Sequence, residues 1–484
     1  MGNHGRMTTA AIIGGGMSGI LAAVRCDQRG IDYTLYEKAE RLGGTWRENT
    51  YPGITCDVPS QFYVYSFELN PDWTHRMSPG AEILEYFEGV AARYGVADEA
   101  RLGEQVVRCE WLGDRWEVET SSGIVDHVDI VVAATGILHH PTLPDIEGLD
   151  SFQGAMFHSA RWDHDVPLDG RRIGVIGTGS TGVQITGALA GRASHFSLFQ
   201  RTPQWVVKVD NPAFSEEEKR VWRTDADLLR EIYLQNQQFF HDGFSDMVVD
   251  AESGIIDRIE ESCRAYLDTI ADPDLRERLR PTYRAACKRL VVSENFYEAL
   301  QLPTAELVDA AIDRIEPAGV RTVDGRLHEL DVLALATGFR VDAFMRPMEI
   351  RGIDGVALDD VWADRPTAYM SIAVPGFPNF FMLNGPNSPV GNVSLVKTAE
   401  MQMDYIVRVV DRLAAGGVGG LCPTEEAAEA FDAERVAAAK STVWATGCRS
   451  WYLDDRGIPF AWPFTFSRFT EEMACPDPEA YAAV

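Results

Sequence analysis

Two stretches of the chain carry the same pattern of apolar and polar positions: a short apolar run, a glycine cluster, an amphipathic segment and a second apolar run. In TTAAIIGGGMSGILAAVRCDQRGIDYTLYEKAE, residues 10–13 predict a strand, Gly14, Gly16 and Gly19 a tight turn, residues 20–25 a helix and residues 33–36 the next strand. In RRIGVIGTGSTGVQITGALAGRASHFSLFQRTPQW, residues 173–176 predict a strand, Gly177, Gly179 and Gly182 the turn, and residues 195–200 the strand that follows. Two further apolar runs end in A-T-G, at Gly136 and Gly338. They predict strands that bring the chain back beside these units and mark where it crosses between domains. Between residues 211 and 280 the apolar spacing turns helical, in FSEEEKRVWRTDADLLREIYLQNQQFF and in SGIIDRIEESCRAYLDTIADPDLRERLRPTYRAACKR, which runs on to residue 289.

A G-x-G-x-x-G between a strand and a helix is a phosphate-binding turn. Its glycines permit the bend and let a pyrophosphate approach the helix N-terminus. The residue ending the next strand sets the ribose chemistry. Glu37 stands 18 residues after Gly19 and suits the two hydroxyls of a free ribose. At the matching place in the second unit stands Arg201, 24 residues after Gly177 where Glu37 is 23 after Gly14. A guanidinium suits a 2′-phosphate, so the second nucleotide is expected to be NADPH; alternatively Arg201 is a solvated surface cation. Ser180, Thr181 and Thr202 join this second set, and Gly44, Thr45 and Trp46 of R-L-G-G-T-W join the first. There Gly43 and Gly44 are expected to let the backbone pass close to a large ligand. The fold class is therefore α/β, with two Rossmann-like dinucleotide-binding domains and a helical insertion, and the function class a two-cofactor oxidoreductase.

Composition acts mainly by exclusion. At roughly 150 residues per domain, 484 residues suggest about three domains. A net charge of −29 argues against nucleic acid and anionic membranes as partners. No apolar run reaches the ~18 residues of a membrane span, no separate apolar region precedes residue 10 as a secretory signal requires, and Arg6 stands where a myristoylation signal wants Ser or Thr. The eight cysteines are scattered with no C-x-x-C, which argues against a zinc site or a dithiol redox centre and fits a reducing cytoplasm. The ten histidines show no metal-binding spacing, and His139 and His140 lie in a Pro-flanked loop, so no metal is expected.

One stretch fits neither strand nor helix periodicity. FQGAMFHSARWDHD places Phe152, Gly154, His158, Trp162 and Asp163 between the two glycine fingers. With these residues the chain resembles the class B flavoprotein monooxygenases and, within them, the Baeyer–Villiger branch, whose fingerprint is F-x-G-x-x-x-H-x-x-x-W followed by P or D. Three more segments are similar to that family's. In residues 50–67, TYPGITCDVPSQFYVYSF, the resemblance implies that Asp57 lies near the flavin. In residues 287–297, CKRLVVSENFY, it implies that Arg289 is the active-site arginine, with Lys288 beside it. In residues 384–394, NGPNSPVGNVS, it implies a flavin-contacting loop containing Asn387, although many members have a histidine near Asn392. The tail VWATGCRSWYLDDRG resembles that of shorter members.

The resemblance implies an FAD domain from residues 1–148 and 340–484, an NADPH domain from 149–210 and 281–339, and a helical cap from 211–280. It implies that NADPH reduces FAD, that the flavin forms a C4a-peroxyflavin with dioxygen, and that this attacks a ketone to give an ester or lactone. Arg289 would then hold the negative charge, Asp57 would orient Arg289, and Lys288 would join Arg201 on the 2′-phosphate. The residues also allow plainer roles: Asp57 as a turn aspartate in C-D-V-P, Arg289 as a solvated helix end, and His158 and Trp162 as packing of the interdomain linker. N- or S-oxygenation on the same scaffold, and a flavin-bound protein without turnover, remain alternatives.

Overall fold

The computed structural model describes residues 8–241, 246–247, 249–389, 393–416, 418–448, 450, 452–454 and 456–484; Arg6 and Asn392 lie outside them. Two five-stranded parallel sheets organise the chain. Across its width, the first runs Phe380–Met382, Ile130–Ala133, Thr9–Ile13, Asp32–Glu37, Ala100–Leu102. The second runs Ala305–Val308, His195–Phe199, Arg172–Ile176, Val332–Leu335, Ala155–His158. In each sheet the strand before a glycine finger is central, with the A-T-G strand on one side of it and the strand after the finger on the other. Both A-T-G strands, Ile130–Ala133 and Val332–Leu335, are buried at every position. That is why they read as unbroken apolar runs: a parallel strand is covered on both faces.

The fingers are built alike. Each first glycine has a left-handed backbone, Gly14 at φ +105° and Gly177 at φ +114°. Each lies against the neighbouring A-T-G turn, where a Cβ would come within 2.7 Å of the Ala134 oxygen and 2.3 Å of the Ala336 oxygen. Each third glycine brings its helix onto the turn. A Cβ on Gly19 would lie 1.8 Å from the Gly14 oxygen, and one on Gly182 would lie 2.0 Å from the Gly177 oxygen. The helices Met17–Arg29 and Ser180–Leu189 follow. A smaller four-stranded sheet, Glu349–Arg351, Val106–Trp111, Trp116–Thr120 and Val125–Val128, adds to the first core, with Trp116 5.4 Å from Phe380.

The helical segments differ from the sequence expectation in two places. The run from 214 to 240 is two helices, Glu216–Thr224 and Ala226–Phe240, split at Asp225, whose carboxylate accepts from the Leu228 N–H at 2.9 Å and so caps the second. The run expected to continue to residue 289 is corrected. It forms Gly254–Leu267 and Pro273–Arg278 and then leaves the helix. Pro281 cannot continue a helix, and Ala286 adopts φ +64°, so residues 279–290 carry Arg289 on a run of turns and bends rather than on a helix end. The insertion rests on both halves of the chain. Tyr233 and Phe240 pack on Phe62 at 5.6 and 5.7 Å, while Ile256 and Cys263 share an apolar cluster with Trp205, Cys287 and Tyr452.

Two of the eight cysteines meet in the fold. Cys287 and Cys448, 161 residues apart, form a disulfide with their Cα atoms 6.2 Å apart. Spacing along the sequence carries no trace of a pairing made by tertiary contact. Cys26, Cys56, Cys109, Cys263 and Cys422 are buried thiols, and Cys475 is exposed. Among the described residues no helix is long and apolar enough to cross a membrane, and no three His, Cys, Asp or Glu side chains gather as metal ligands would. Because the crosslink closes a long loop of the unfolded chain, Cys448→Ser is expected to lower stability by about 2–5 kcal/mol. A thiol reductant should lower the thermal midpoint of the wild type and leave the variant's unchanged. Equal midpoints for wild type and variant would show that the bond does not form in solution.

Candidate active site between the glycine fingers

The two finger helices start on Gly16 and Gly179, and neither has a side-chain cap. Their first-turn N–H groups are therefore left for an anion, as a pyrophosphate site requires. Glu37 is buried at the end of its strand. Its carboxylate accepts from the Gly15 N–H at 2.8 Å and the Ala39 N–H at 2.9 Å, and meets Arg47 Nη1 at 3.2 Å. Any ribose hydroxyl shares this carboxylate with the loop's own donors. The Gly43-Gly44 pair makes its close approach to the finger itself: the Gly43 N–H donates to the Gly15 oxygen at 2.9 Å, and a Cβ on Gly44 would lie 2.8 Å from Gly16 Cα. Thr45 and Trp46 open the short helix Thr45–Glu48, and Trp46 Nε1 donates to the Tyr63 hydroxyl at 3.3 Å.

The 384–389 segment docks onto the same finger. Asn384 Nδ2 donates to Ser18 Oγ at 3.2 Å, and Asn387 Nδ2 donates to the Phe460 oxygen at 3.3 Å. Both asparagines have left-handed backbones, φ +52° and +70°. Their Oδ1 atoms are buried and have no hydrogen-bond partner among the described residues. Buried acceptors are nearly always satisfied, so this pair fits a ligand that brings N–H or O–H donors to the first finger. A flavin ring and ribityl chain carry such donors.

At the second finger Arg201 is exposed just past the end of its strand, and Thr178 Oγ1 holds the following turn by donating to the Thr202 oxygen at 2.9 Å. The Lys288 ammonium lies 4.7 Å from the centre of the Tyr283 ring. Burial, and after it the nearby Arg201 charge, push its pKa down. Neither cation has a carboxylate within ion-pair distance among the described residues. Two neighbouring cations without a carboxylate partner repel each other, and an anion would relieve that repulsion.

Between the fingers runs residues 51–57. Tyr51 donates to Gln184 Oε1 at 2.8 Å, Gln184 Nε2 donates to the Thr55 oxygen at 3.1 Å, and Thr181 Oγ1 donates to the Tyr51 hydroxyl at 3.4 Å. A Cβ on Gly53 would come within 2.6 Å of the Gln184 oxygen, so only glycine allows this contact with the second finger's helix. Asp57 ends the segment. Its Oδ2 accepts from Arg289 Nε at 3.0 Å and Nη2 at 2.5 Å. The Asp57 charge, above all, holds the guanidinium pKa far above the ordinary arginine range. The buried Tyr452 phenol lies near the same guanidinium, and burial pushes its own pKa up. Arg289 keeps 32% of its side-chain surface open, so it is a held cation that a ligand can still reach. The turn around Asp57 is completed differently, with the Val58 N–H donating to Cys56 Sγ at 3.4 Å.

The F-x-G-x-x-x-H-x-x-x-W stretch is the edge of the second sheet. Gly154 is required, since a Cβ there would lie 2.5 Å from the Asp331 oxygen and 2.6 Å from the Phe152 ring. His158 Nε2 donates to the Gly338 oxygen at 3.0 Å while Nδ1 accepts from the Ala160 N–H at 3.1 Å. Both contacts fit one neutral tautomer, and burial pushes the imidazole pKa down. Trp162 packs on Phe157 at 4.6 Å, and Asp163 is exposed. Sequence reasoning missed Tyr51, Gln184 and Tyr452. Tyr51 carried a usable signal, six residues before Asp57 in the same segment, whereas Tyr452 comes beside Cys287 and Leu290 only through the fold.

Comparison with known proteins agrees with this geometry. The family model described as flavin-binding monooxygenase-like matches residues 7–215. An uncharacterized monooxygenase of Mycobacterium tuberculosis is 48% identical over 479 residues, covering 99% of this chain and 96% of its own. A Baeyer–Villiger monooxygenase of Streptomyces coelicolor is 37% identical, covering 96% of this chain and 90% of its own. The crystal structure of cyclohexanone monooxygenase from Rhodococcus sp. Phi1 bound to NADP+ superposes with a TM-score of 0.87 at 30% identity, covering 99% of both chains. Two glycine fingers, an Asp–Arg pair held between them and relatives of this kind along the whole chain lead to one assignment: the protein belongs to the flavin-binding monooxygenases, in their Baeyer–Villiger branch.

Proposed function

We propose that the protein inserts one oxygen atom of dioxygen beside the carbonyl of a ketone, giving an ester or lactone. The observation that carries this is the Arg289 guanidinium, gripped by Asp57, open on one side and set between two glycine fingers of opposite ribose-end chemistry. Its cofactors are FAD and NADPH. Gly14, Gly16, Gly19, Glu37, Gly44, Thr45, Trp46, Asp57 and Asn387 are the residues to hold FAD; Gly177, Gly179, Ser180, Thr181, Gly182, Arg201, Thr202 and Lys288 are those to hold NADPH. The corresponding division is an FAD domain of residues 1–148 and 340–484, an NADPH domain of 149–210 and 281–339, and the insertion 211–280.

Bound FAD, once reduced, supplies the activation of dioxygen. This chain supplies a fixed positive charge where negative charge develops on the attacking oxygen. An arginine suits that task because it stays charged and offers five donors in a rigid plane. Asp57 takes up two of them through its one oxygen Oδ2 and leaves the others for a ligand. A preorganised cation needs no rearrangement at the moment of reaction. Cys56 and Tyr63 are buried around the pair, and burial keeps the Tyr63 phenol protonated. They limit the water that would otherwise screen the charge.

Arg289→Ala is expected to keep FAD and much of its reduction by NADPH while ester formation falls roughly 10²–10³-fold, the consumed dioxygen appearing as hydrogen peroxide. Product mass over a panel of ketones and sulfides, with NADPH consumption followed alongside, checks this. Near wild-type ester yield from the variant removes Arg289 from the reaction, and sulfoxide as the sole product of the wild type removes the ketone assignment. At the other cofactor, Arg201→Ala should weaken NADPH roughly 10–100-fold, the scale of a lost charged hydrogen bond, and leave NADH nearly unchanged. Equal weakening of both nucleotides in a binding titration would falsify the 2′-phosphate role.

A further inference from the structure

The chain crosses between its two large sheets twice, leaving the first after Ala133 and the second after Leu335. The two crossings meet and run side by side. Pro141 and Phe339 form an antiparallel bridge. The Thr142 N–H donates to the Gly338 oxygen at 2.9 Å, and the Arg340 N–H donates to the His140 oxygen at 2.9 Å. Beyond Arg340 two side chains continue the pairing. His139 Nε2 lies 2.9 Å from the Phe344 oxygen, and His140 Nε2 lies 2.7 Å from the Arg346 oxygen. A carbonyl only accepts, so both ring nitrogens donate. The two rings lie 4.0 Å apart, tilted by 50°. The segment they reach is rooted under the first sheet. Phe344, Met345 and Met348 share an apolar cluster with Ile13, Tyr36 and Val131, and so does Ile137 at the start of the outgoing crossing. Phe344 keeps a left-handed backbone, φ +46°, which a bulky residue does only where its surroundings hold it.

We infer that His139 and His140 are positioning residues: together they clasp the two crossings into one ribbon where these join the first sheet, and so set how the second finger is held against the first. Two separate crossings would each twist about their own bonds, and hinge motion works through a few residues of this kind. A ribbon tied along its length removes that freedom. Histidine suits the clasp because its ring is rigid and its donor sits at a fixed atom. Burial above all, and then the adjacent His140, push the His139 pKa down to about 4, while its bond to the Phe344 carbonyl opposes this. At neutral pH the His139 ring is therefore uncharged and can lie against a second imidazole without repulsion. Neither histidine is among the residues proposed to hold FAD or NADPH. The inference rests on that cofactor placement only for its kinetic readout, not for its geometry.

The test uses the FAD-loaded enzyme in two double variants. His139→Leu with His140→Leu removes both donors and keeps apolar bulk. His139→Gln with His140→Gln keeps an amide N–H near the place of each Nε2. FAD content and affinity for NADP+ should match the wild type in both. With saturating NADPH and no dioxygen, flavin reduction should slow roughly 10–100-fold in the leucine pair, the scale for displaced reacting groups. It should return close to the wild-type rate in the glutamine pair. Spin labels on non-natural residues replacing exposed Val125 and Val323, one ahead of each crossing, give a second readout. Their distance distribution should be narrow in the wild type, broad in the leucine pair and narrow again in the glutamine pair. Wild-type reduction in the leucine pair overturns the inference. So does slower reduction with an unchanged distance distribution, because the effect is then local. Loss of FAD or early melting in the leucine pair, with no recovery of rate in the glutamine pair, reduces the histidines to packing and overturns it too. If NADPH does not reduce the wild-type flavin but the distances change as expected, the cofactor placement fails and the clasp stands.

Discussion

The arrangement depends on one ion pair, Asp57 with Arg289, and on where its two halves come from. Taking two charges out of water is rarely a net gain in stability; removing one partner of such a pair is what destabilises strongly. A pair of this kind is better understood by what it fixes. Asp57 ends a segment bound to the second finger's helix through Tyr51, Gln184 and Thr55. Arg289 leads into Val291–Ser293, which pairs with Val206–Lys208 just beyond the Arg201 end of the second sheet. The bond between them therefore fastens the segment that leaves the first finger to the one that returns from the insertion. A cation held there is fixed by segments that lie far apart in the sequence.

The two fingers show how one backbone plan is given opposite charge. Both rest an αL glycine on an A-T-G turn and both start an uncapped helix. They differ at the strand end. Glu37 is buried and already engaged by two backbone N–H groups, whereas Arg201 is exposed and has Lys288 rather than an acid for a neighbour. A buried carboxylate is acceptable only when donors surround it, and the first loop provides them. Two adjacent cations are acceptable only where water or an anion compensates them, and their exposure provides for that. The contrast between acid and base at the two strand ends is thus built into their burial as well as into their residue type.

What could be read along the chain was whatever has a local cause. The glycine turns, the parallel strands and the acid-to-base exchange at residues 37 and 201 follow from short-range sterics and from periods of a few residues. What could not be read depends on contacts between distant segments. Residues 279–290 look helical by composition, yet Pro281 and the αL backbone of Ala286 turn them into an irregular support for Arg289. Cys287 and Cys448 are two of eight unremarkable cysteines until the fold joins them. Tyr452 lies in a tail with no periodic signal, and it joins the apolar cluster around Cys287 only through the fold. The R-L-G-G-T-W glycines were legible as a close approach, but the partner is the first finger's own backbone.

The histidine stretch closes the argument, because its packing and its coupling are the same contact. The Gly338 carbonyl accepts from His158 Nε2 and from the Thr142 N–H, at 3.0 and 2.9 Å. One oxygen thus ties the edge strand of the second sheet to the chain crossing from the first. Two residues upstream, Ala336 supports Gly177 of the second finger. A carbonyl can accept twice, but both donors must keep their protons on the correct atoms. Neutral His158 does so with Nε2–H toward Gly338 and Nδ1 free to accept from Ala160. A doubly protonated ring would lose the Ala160 bond, and an alanine would lose both. The crossing between sheets, the A-T-G turn and the second finger that rests on it would then loosen together.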